Sequence, residues 1–240
     1  MRLVIIGCEY SGTTTLASSI CRWAENAMGG KFEFHDHWKF PHIGFDPIDH
    51  SALVFDEKEQ KEILSLTPVM KEQAARYNLV AHEPTESTPA DHILVGFHFD
   101  DTVYSSLYWE YGAGDEDPFI DGGPRSDYSR DIEEKRMLKY MPDCVLILLK
   151  ASPEIIAKRM QESPHKNGVL KKEDIDYVIQ RFDEEYEASL ITHKFTLDTS
   201  ESTVEETLNE FLESMEPFLT ETDKLRINSH ATFKNHTVNN

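Results

Sequence analysis

Residues 7–15 read GCEYSGTTT, with Gly7 and Gly12 in the spacing G-x-x-x-x-G. The loop follows the apolar run from Leu3 to Ile6 and precedes a helical pattern. In that setting main-chain N–H groups and a helix N-terminus converge on an anion. An ordinary strand-to-helix turn has the same outline, but its place after the first strand favours the anion site. Gly7, Ser11, Gly12, Thr13, Thr14 and Thr15 are therefore the candidate phosphate-binding residues. Gly7 and Gly12 let the chain wrap closely, Thr14 stands where a hydroxyl meets magnesium, and Thr15 adds a donor. Thr13 occupies the position at which such loops carry a lysine, so the point charge for a terminal phosphate has to come from elsewhere in the chain.

Asp36, Asp100 and Asp101 are the candidate carboxylates. Transfer of a phosphoryl group needs one group to orient the acceptor hydroxyl and another to hold magnesium; Asp36 is assigned to the acceptor and Asp101, with Thr14, to the metal. His35 and His37 share one strand face, but two ligands at that spacing, with no Cys or third His nearby in sequence, fall short of a zinc site. The densest basic stretch of the chain holds Lys158, Arg159, His165, Lys166, Lys171, Lys172 and Arg181. Arg159 and Arg181, each on a helix beside apolar residues, are the best placed to supply the absent charge, ahead of Arg125 and Arg130. Arg76 and Tyr77 are read as facing the acceptor pocket. Tyr104 and Tyr108 either stack on a base or belong to the core.

These residues need elements to hold them. Leu16, Ile20, Trp23 and Ala27 recur at helical spacing after the loop, and Gly29 and Gly30 end that run. KFEFHDHW, residues 31–38, alternates as a second strand, and residues 56–65 form a short charged helix. Thr67 and Pro68 open a further helix with Met70, Ala74, Tyr77 and Ala81 as its apolar face. HILVGFHF reads as a third strand ending at Asp100 and Asp101, followed by a short aromatic helix through Tyr104, Tyr108 and Tyr111. Residues 112–124 make a long Gly- and Pro-rich loop, and a helix over 127–140 leads into the unbroken apolar strand CVLILL. Ser152 and Pro153 cap the next helix, a helix over 172–189 follows, HKFTLDTS is a fifth strand, and Thr203 with Glu206 fits a capping box. Residues 221–240 are polar and unpatterned, the mark of a loose, flexible tail. Strands alternating with helices imply a parallel sheet covered on both faces, with ligands at the carboxyl ends of the strands.

The chain resembles the P-loop nucleoside and nucleotide kinases, thymidylate kinases above all. The likeness is carried by GCEYSGTTT, by DDTVYSSLYW where that family has an Asp-Arg-Tyr motif, by VLILLKASPEIIAKRM and by FTLDTSESTVEETLNEF. It departs at Thr13, at Thr102 in place of the motif's arginine, and at Asp36 and His37 in place of a glutamate and proline. The resemblance implies a P-loop NTPase fold: a three-layer α/β sandwich with a five-stranded parallel sheet of order 2-3-1-4-5. It further implies ATP with Mg2+ and a small-molecule phosphoryl acceptor bound across the sheet. Residues 1–220 would form the kinase-like domain, with a lid over about 159–181.

A chain of 240 residues, 39% hydrophobic, builds one substantial core. Cys8, Cys21 and Cys144 form no C-x-x-C pair and read as reduced thiols in the cytosol. A net charge of −20 repels a polymeric nucleic acid, and no apolar run is long enough for a membrane span. A homodimer is compatible with the sequence. Three functions fit it: an ATP-dependent phosphotransferase, a nucleotide-binding sensor or pseudokinase whose chemistry left with the lysine, and a binder of another phosphorylated metabolite.

Overall fold

The computed structural model describes residues 1–44, 53–112, 129–166 and 168–238, the side chains at 129, 131 and 232–238 excepted. β1 (Arg2–Ile6) is the organising strand. Its side chains alternate between two apolar layers, Leu3 and Ile5 to one, Val4 and Ile6 to the other. β4 (Val145–Lys150) divides in the same way, with Val145, Ile147 and Leu149 on one side and Leu146 and Leu148 on the other. A strand buried on both faces has to be apolar throughout, which accounts for the unbroken runs in both.

β2 (Glu33–His35), β3 (His92–Val95) and β5 (Lys194–Asp198) complete a five-stranded, all-parallel sheet of order β2-β3-β1-β4-β5. One face is covered by α1 (Thr13–Ala27), through Leu16, Ala17, Ile20 and Ala24. The opposite face is covered in part by α3 (Pro68–Ala81), which follows the short α2 (Glu57–Leu64), and by α4 (His98–Tyr104). Beyond a wide turn at Ser129–Glu134 come α5 (Lys135–Tyr140), α6 (Pro153–Glu162) and α7 (Ile175–Ala188). α7 adds Val178, Phe182 and Tyr186 to the same layer as α3 and α4. α8 (Val204–Met215), started by the Thr203–Glu206 capping box, returns to α1's side with Phe211 and Met215.

The structure departs from the sequence reading in four places. β2 is confined to three residues, where eight alternate in the sequence. β3 stops at Val95, because Gly96 (φ +80) and Phe97 (φ +49) turn the chain out of the sheet directly into α4. A side chain at Gly96 would meet the Asp100 carboxylate at 2.3 Å, so the turn is built for glycine. On α3 the buried face is Lys71, Ala75, Asn78 and Leu79, while Met70 and Tyr77 are exposed. Asn78 Nδ2 donates to the His37 carbonyl at 2.8 Å, and this buried polar contact fixes which side of α3 faces inward.

The fourth difference is the end of the chain. The polar residues after Glu221 form a helix, α9 (Glu221–Val238). Asp223 accepts from the amino group of Met1 at 3.1 Å, and Arg226 grips Asp91 through both carboxylate oxygens at 2.9 and 2.6 Å. Polarity hid a segment held by ion pairs rather than by an apolar stripe. Arg125 and nearly all of the expected loop 112–124 lie outside the described residues. Among the described residues no helix is long and apolar enough to cross a membrane.

Candidate active site

β1 delivers the chain to Gly7, where an added Cβ would lie 2.6 Å from the Leu149 carbonyl oxygen and 2.6 Å from Ser11 Oγ. Close approach of backbone to backbone therefore demands glycine. The loop then turns through two left-handed residues, Tyr10 (φ +69) and Gly12 (φ +100), with Ser11 N–H closing on the Cys8 carbonyl at 3.0 Å. Gly12 is the N-cap of α1 and brings no side chain to cap it. Leu16 N–H is the first to reach back, to the Gly12 carbonyl at 2.9 Å, so the amides of Thr13, Thr14 and Thr15 precede the helical ladder. They present N–H groups and the positive end of the helix dipole to one point.

That point is the floor of a cleft of about 340 Å³, lined by loop residues 10–16 together with Arg159, His165 and Thr199. Its volume suits a small molecule. Arg159 on α6 donates from Nη1 to the Tyr10 carbonyl at 2.9 Å and to Thr199 Oγ1 at 3.0 Å, and from Nη2 to the Thr199 carbonyl. Thr199, just past β5, donates in turn to the Ser11 carbonyl at 2.8 Å. The two residues brace the loop from the side opposite β1. Of the five guanidinium N–H groups, those of Arg159 without a bond among the described residues remain for a ligand.

On the other side of the loop lies a cation the sequence reading missed. Lys39 Nζ stands 3.3 Å from Glu9 Oε1 and 3.5 Å from Asp100 Oδ2, and 5.3 Å from the centre of the Tyr104 ring. Burial by itself lowers its pKa, but Asp100, Glu9 and Asp36 outweigh burial and raise it, so the ammonium stays charged. Asp100 is pushed up to about 7, first by burial, with Asp36 and Glu9 adding to the rise and Lys39 opposing it. Thr14 Oγ1 donates to Asp36 Oδ2 at 2.6 Å, which puts two hard oxygen ligands side by side at the mouth of the loop. Only its place just beyond β2 marked Lys39 in the sequence.

The segment around Val169 and Leu170 is tied to the loop. Glu9 Oε2 accepts from the amides of Val169 and Leu170 at 3.1 and 3.0 Å, and Tyr10 Oη from the amide of His165 at 3.1 Å. The Tyr10 and His165 rings stack with centres 4.1 Å apart. Tyr108 accepts from Lys171 N–H at 3.1 Å and donates to Asp174 at 2.9 Å.

The other candidates divide. Tyr104 is fully buried and its hydroxyl receives the Glu9 N–H at 3.1 Å, so it supports the loop rather than stacking on a base. Asp101 accepts from the Tyr111 hydroxyl at 2.7 Å, and Asp100 is the member of the pair that meets Lys39. Asp36, expected to serve the acceptor, touches Thr14, the residue expected to meet the metal. Arg181 is engaged by Glu184 at 2.6 Å and Glu185 at 2.7 Å along its own helix, and Arg130 meets Glu185 at 3.2 Å. Arg76 pairs with Glu72 on α3, and Tyr77 beside it is 63% exposed.

A glycine loop between the first strand and first helix of a parallel sheet ordered 2-3-1-4-5 is the arrangement of the P-loop NTPase fold. Solved structures agree. Deoxyadenosine kinase from M. mycoides with bound dCTP is 14% identical with a TM-score of 0.54, over 90% of this chain and 100% of that one. The YorR protein from Bacillus subtilis, in complex with phosphorylated GDP, is 13% identical with a TM-score of 0.51, over 92% of this chain and 100% of that one. At such identities the likeness is one of fold. No protein-family model matches the chain, and no curated protein matches it by sequence.

Proposed function

We propose that this chain is an ATP-dependent phosphotransferase acting on a nucleoside, a nucleotide or a similar small acceptor. The observation that carries the reading is the row of amides from Thr13 to Thr15 opening into a cleft braced by Arg159. The amides would hold the donor's phosphates, and the remaining guanidinium N–H groups of Arg159 would meet a phosphate oxygen from the lid side. Thr14 and Asp36 offer the hard oxygens that suit Mg2+, which when bound neutralises charge on the phosphoryl oxygens. Lys39 stands at the phosphate loop and stabilises the carboxylates around it. Asp100, with its pKa near neutrality, is suited to take a hydrogen bond or a proton from an acceptor hydroxyl.

One observation favours the second reading, a nucleotide-binding sensor or pseudokinase. Lys39 is held by Glu9 and Asp100, and Arg181 by Glu184 and Glu185, so carboxylates share both charges. Incubation of the purified chain with Mg2+, ATP and a nucleoside and nucleotide panel separates the two. The kinase reading expects a phosphorylated acceptor, and the sensor reading expects thermal stabilisation by ATP without turnover. Thr13→Lys then yields appreciable hydrolysis only under the sensor reading. If calorimetry detects no ATP association, both fail, and competition among other phosphorylated metabolites becomes the relevant measurement.

A further inference from the structure

The fold gathers four histidines that the sequence keeps apart. His35 ends β2, His37 follows two residues later, His82 closes α3, and His92 opens β3 beside Glu33. None is more than 6% exposed. The rings of His35 and His37 each lie within 5 Å of His82, at 4.7 and 4.6 Å between centres, and His92 lies 5.5 Å from His35. Trp38 stacks on His37 at 4.8 Å, giving the cluster an aromatic wall.

The nitrogens are disposed as ligands. One donor atom from each of His35, His37 and His82 falls within 4.8 Å of the others. His35 Nδ1 and His37 Nε2 are 3.3 Å apart. Two nitrogens bound to one tetrahedral zinc at about 2.0–2.1 Å stand roughly 3.3–3.4 Å from each other, so this pair already has the required spacing. The outer contacts agree. His82 Nδ1 bonds the Asn78 carbonyl at 2.8 Å, which places its N–H there and makes Nε2 the acceptor nitrogen of the ring. His35 Nε2 lies 3.0 Å from Glu33 Oε1, so its other nitrogen, Nδ1, is the one turned toward His37. A carboxylate or carbonyl thus stands behind two of the three imidazoles, the arrangement that orients metal-binding histidines. Glu33 also reaches His92, whose Nδ1 is 3.7 Å from Oε2.

We propose that His35, His37 and His82 bind one divalent cation of the zinc class, with Glu33 and the Asn78 carbonyl as outer partners and His92 closing the pocket. Imidazole donors select such a cation over magnesium. The cation pins the chain on both sides of Asp36, the residue that meets Thr14 at 2.6 Å, and so links this site to the mouth of the phosphate loop. The site itself does not depend on the phosphotransferase reading.

The test uses the full chain stripped with a chelator and titrated with Zn2+ alone against a chromophoric competitor, then with Co2+ followed by visible absorption. One zinc per chain and an intense tetrahedral Co2+ band are expected. His35→Gln and His82→Gln should each weaken binding at least roughly tenfold, and Glu33→Gln about tenfold, the effect typical of an outer partner. His165→Gln and His193→Gln, at exposed histidines, should leave it unchanged. Circular dichroism checks that each variant folds, and the Co2+ spectrum of the unaltered chain decides alone if one does not. Absence of stoichiometric zinc, a weak octahedral Co2+ spectrum, or equal affinity in folded His35→Gln and His82→Gln would overturn the proposal, whatever the chain does with ATP.

Discussion

Gly7 and Gly12 are glycines for different reasons, and the difference can be measured. Gly12 has open space where a Cβ would sit and needs glycine only for its φ of +100. Gly7 faces the Leu149 carbonyl oxygen, which β4 holds rigidly in the sheet. Gly7→Ala is therefore expected to cost about 2–4 kcal/mol and to abolish association with a nonhydrolysable ATP analogue, because strand or loop has to move. Gly12→Ala should cost about 1–2 kcal/mol, the strain of one left-handed residue. Denaturant titration and calorimetry on both variants check this, and equal effects would show that Gly7 is not pressed against the sheet. The glycines were legible from their spacing. Glu9 and Lys39 were not, because Glu9 fills an unconstrained position of the motif and Lys39 acquires its role only when β2 lies beside β3.

The segment around Val169 and Leu170 is joined to the glycine loop through Glu9. Its carboxylate takes two consecutive main-chain amides, Val169 and Leu170, while its other oxygen faces Lys39. Each hydrogen bond to a charged acceptor contributes about 1.5–3 kcal/mol, so losing both should raise the local opening equilibrium at least roughly a hundredfold. Glu9→Ala is accordingly expected to speed amide hydrogen exchange at Val169 and Leu170 by that factor while leaving β1 and β4 protected. Unchanged exchange would mean that this segment is held by Tyr10 and Tyr108 instead. The basic density of that stretch was legible in the sequence, but its fastening was not. Main-chain amides do the fastening, and a sequence gives no sign of which amides a carboxylate will find. The same blindness separates β3 from α4: HILVGFHF keeps its alternation through Phe99, and only the left-handed Gly96 and Phe97 reveal that the strand has ended.

At the scale of the whole molecule, sheet order and layers follow from β1 and β4, whose unbroken apolar runs can only be central strands; long-range polar pairings have no such periodic signature. The four-histidine cluster, the anchoring of α9 on Asp91 and the burial of Glu134 all belong to that second kind. Glu134 is fully buried, with His98 on α4 3.7 Å from Oε1, and Oε2 receiving the Leu190 N–H at 2.6 Å and the Ser189 hydroxyl at 3.2 Å. Burial is the largest influence and raises its pKa to about 7, against lowering by Leu190, Ser189 and Arg130, while Glu185 adds to the rise. The folded value thus exceeds the unfolded one of 4.5, and the folded state binds this proton more tightly. The resulting contribution is complete below about pH 4.5 and is lost as pH rises through about 7, amounting to no more than about 3 kcal/mol. Glu134→Gln keeps an oxygen for the Leu190 amide but has no proton to lose. Denaturant titrations should therefore find the variant and the unaltered chain close at pH 4.5 and diverging in the variant's favour toward pH 8. Parallel stability curves across that window would show that Glu134 is ionised in the fold with its charge already compensated.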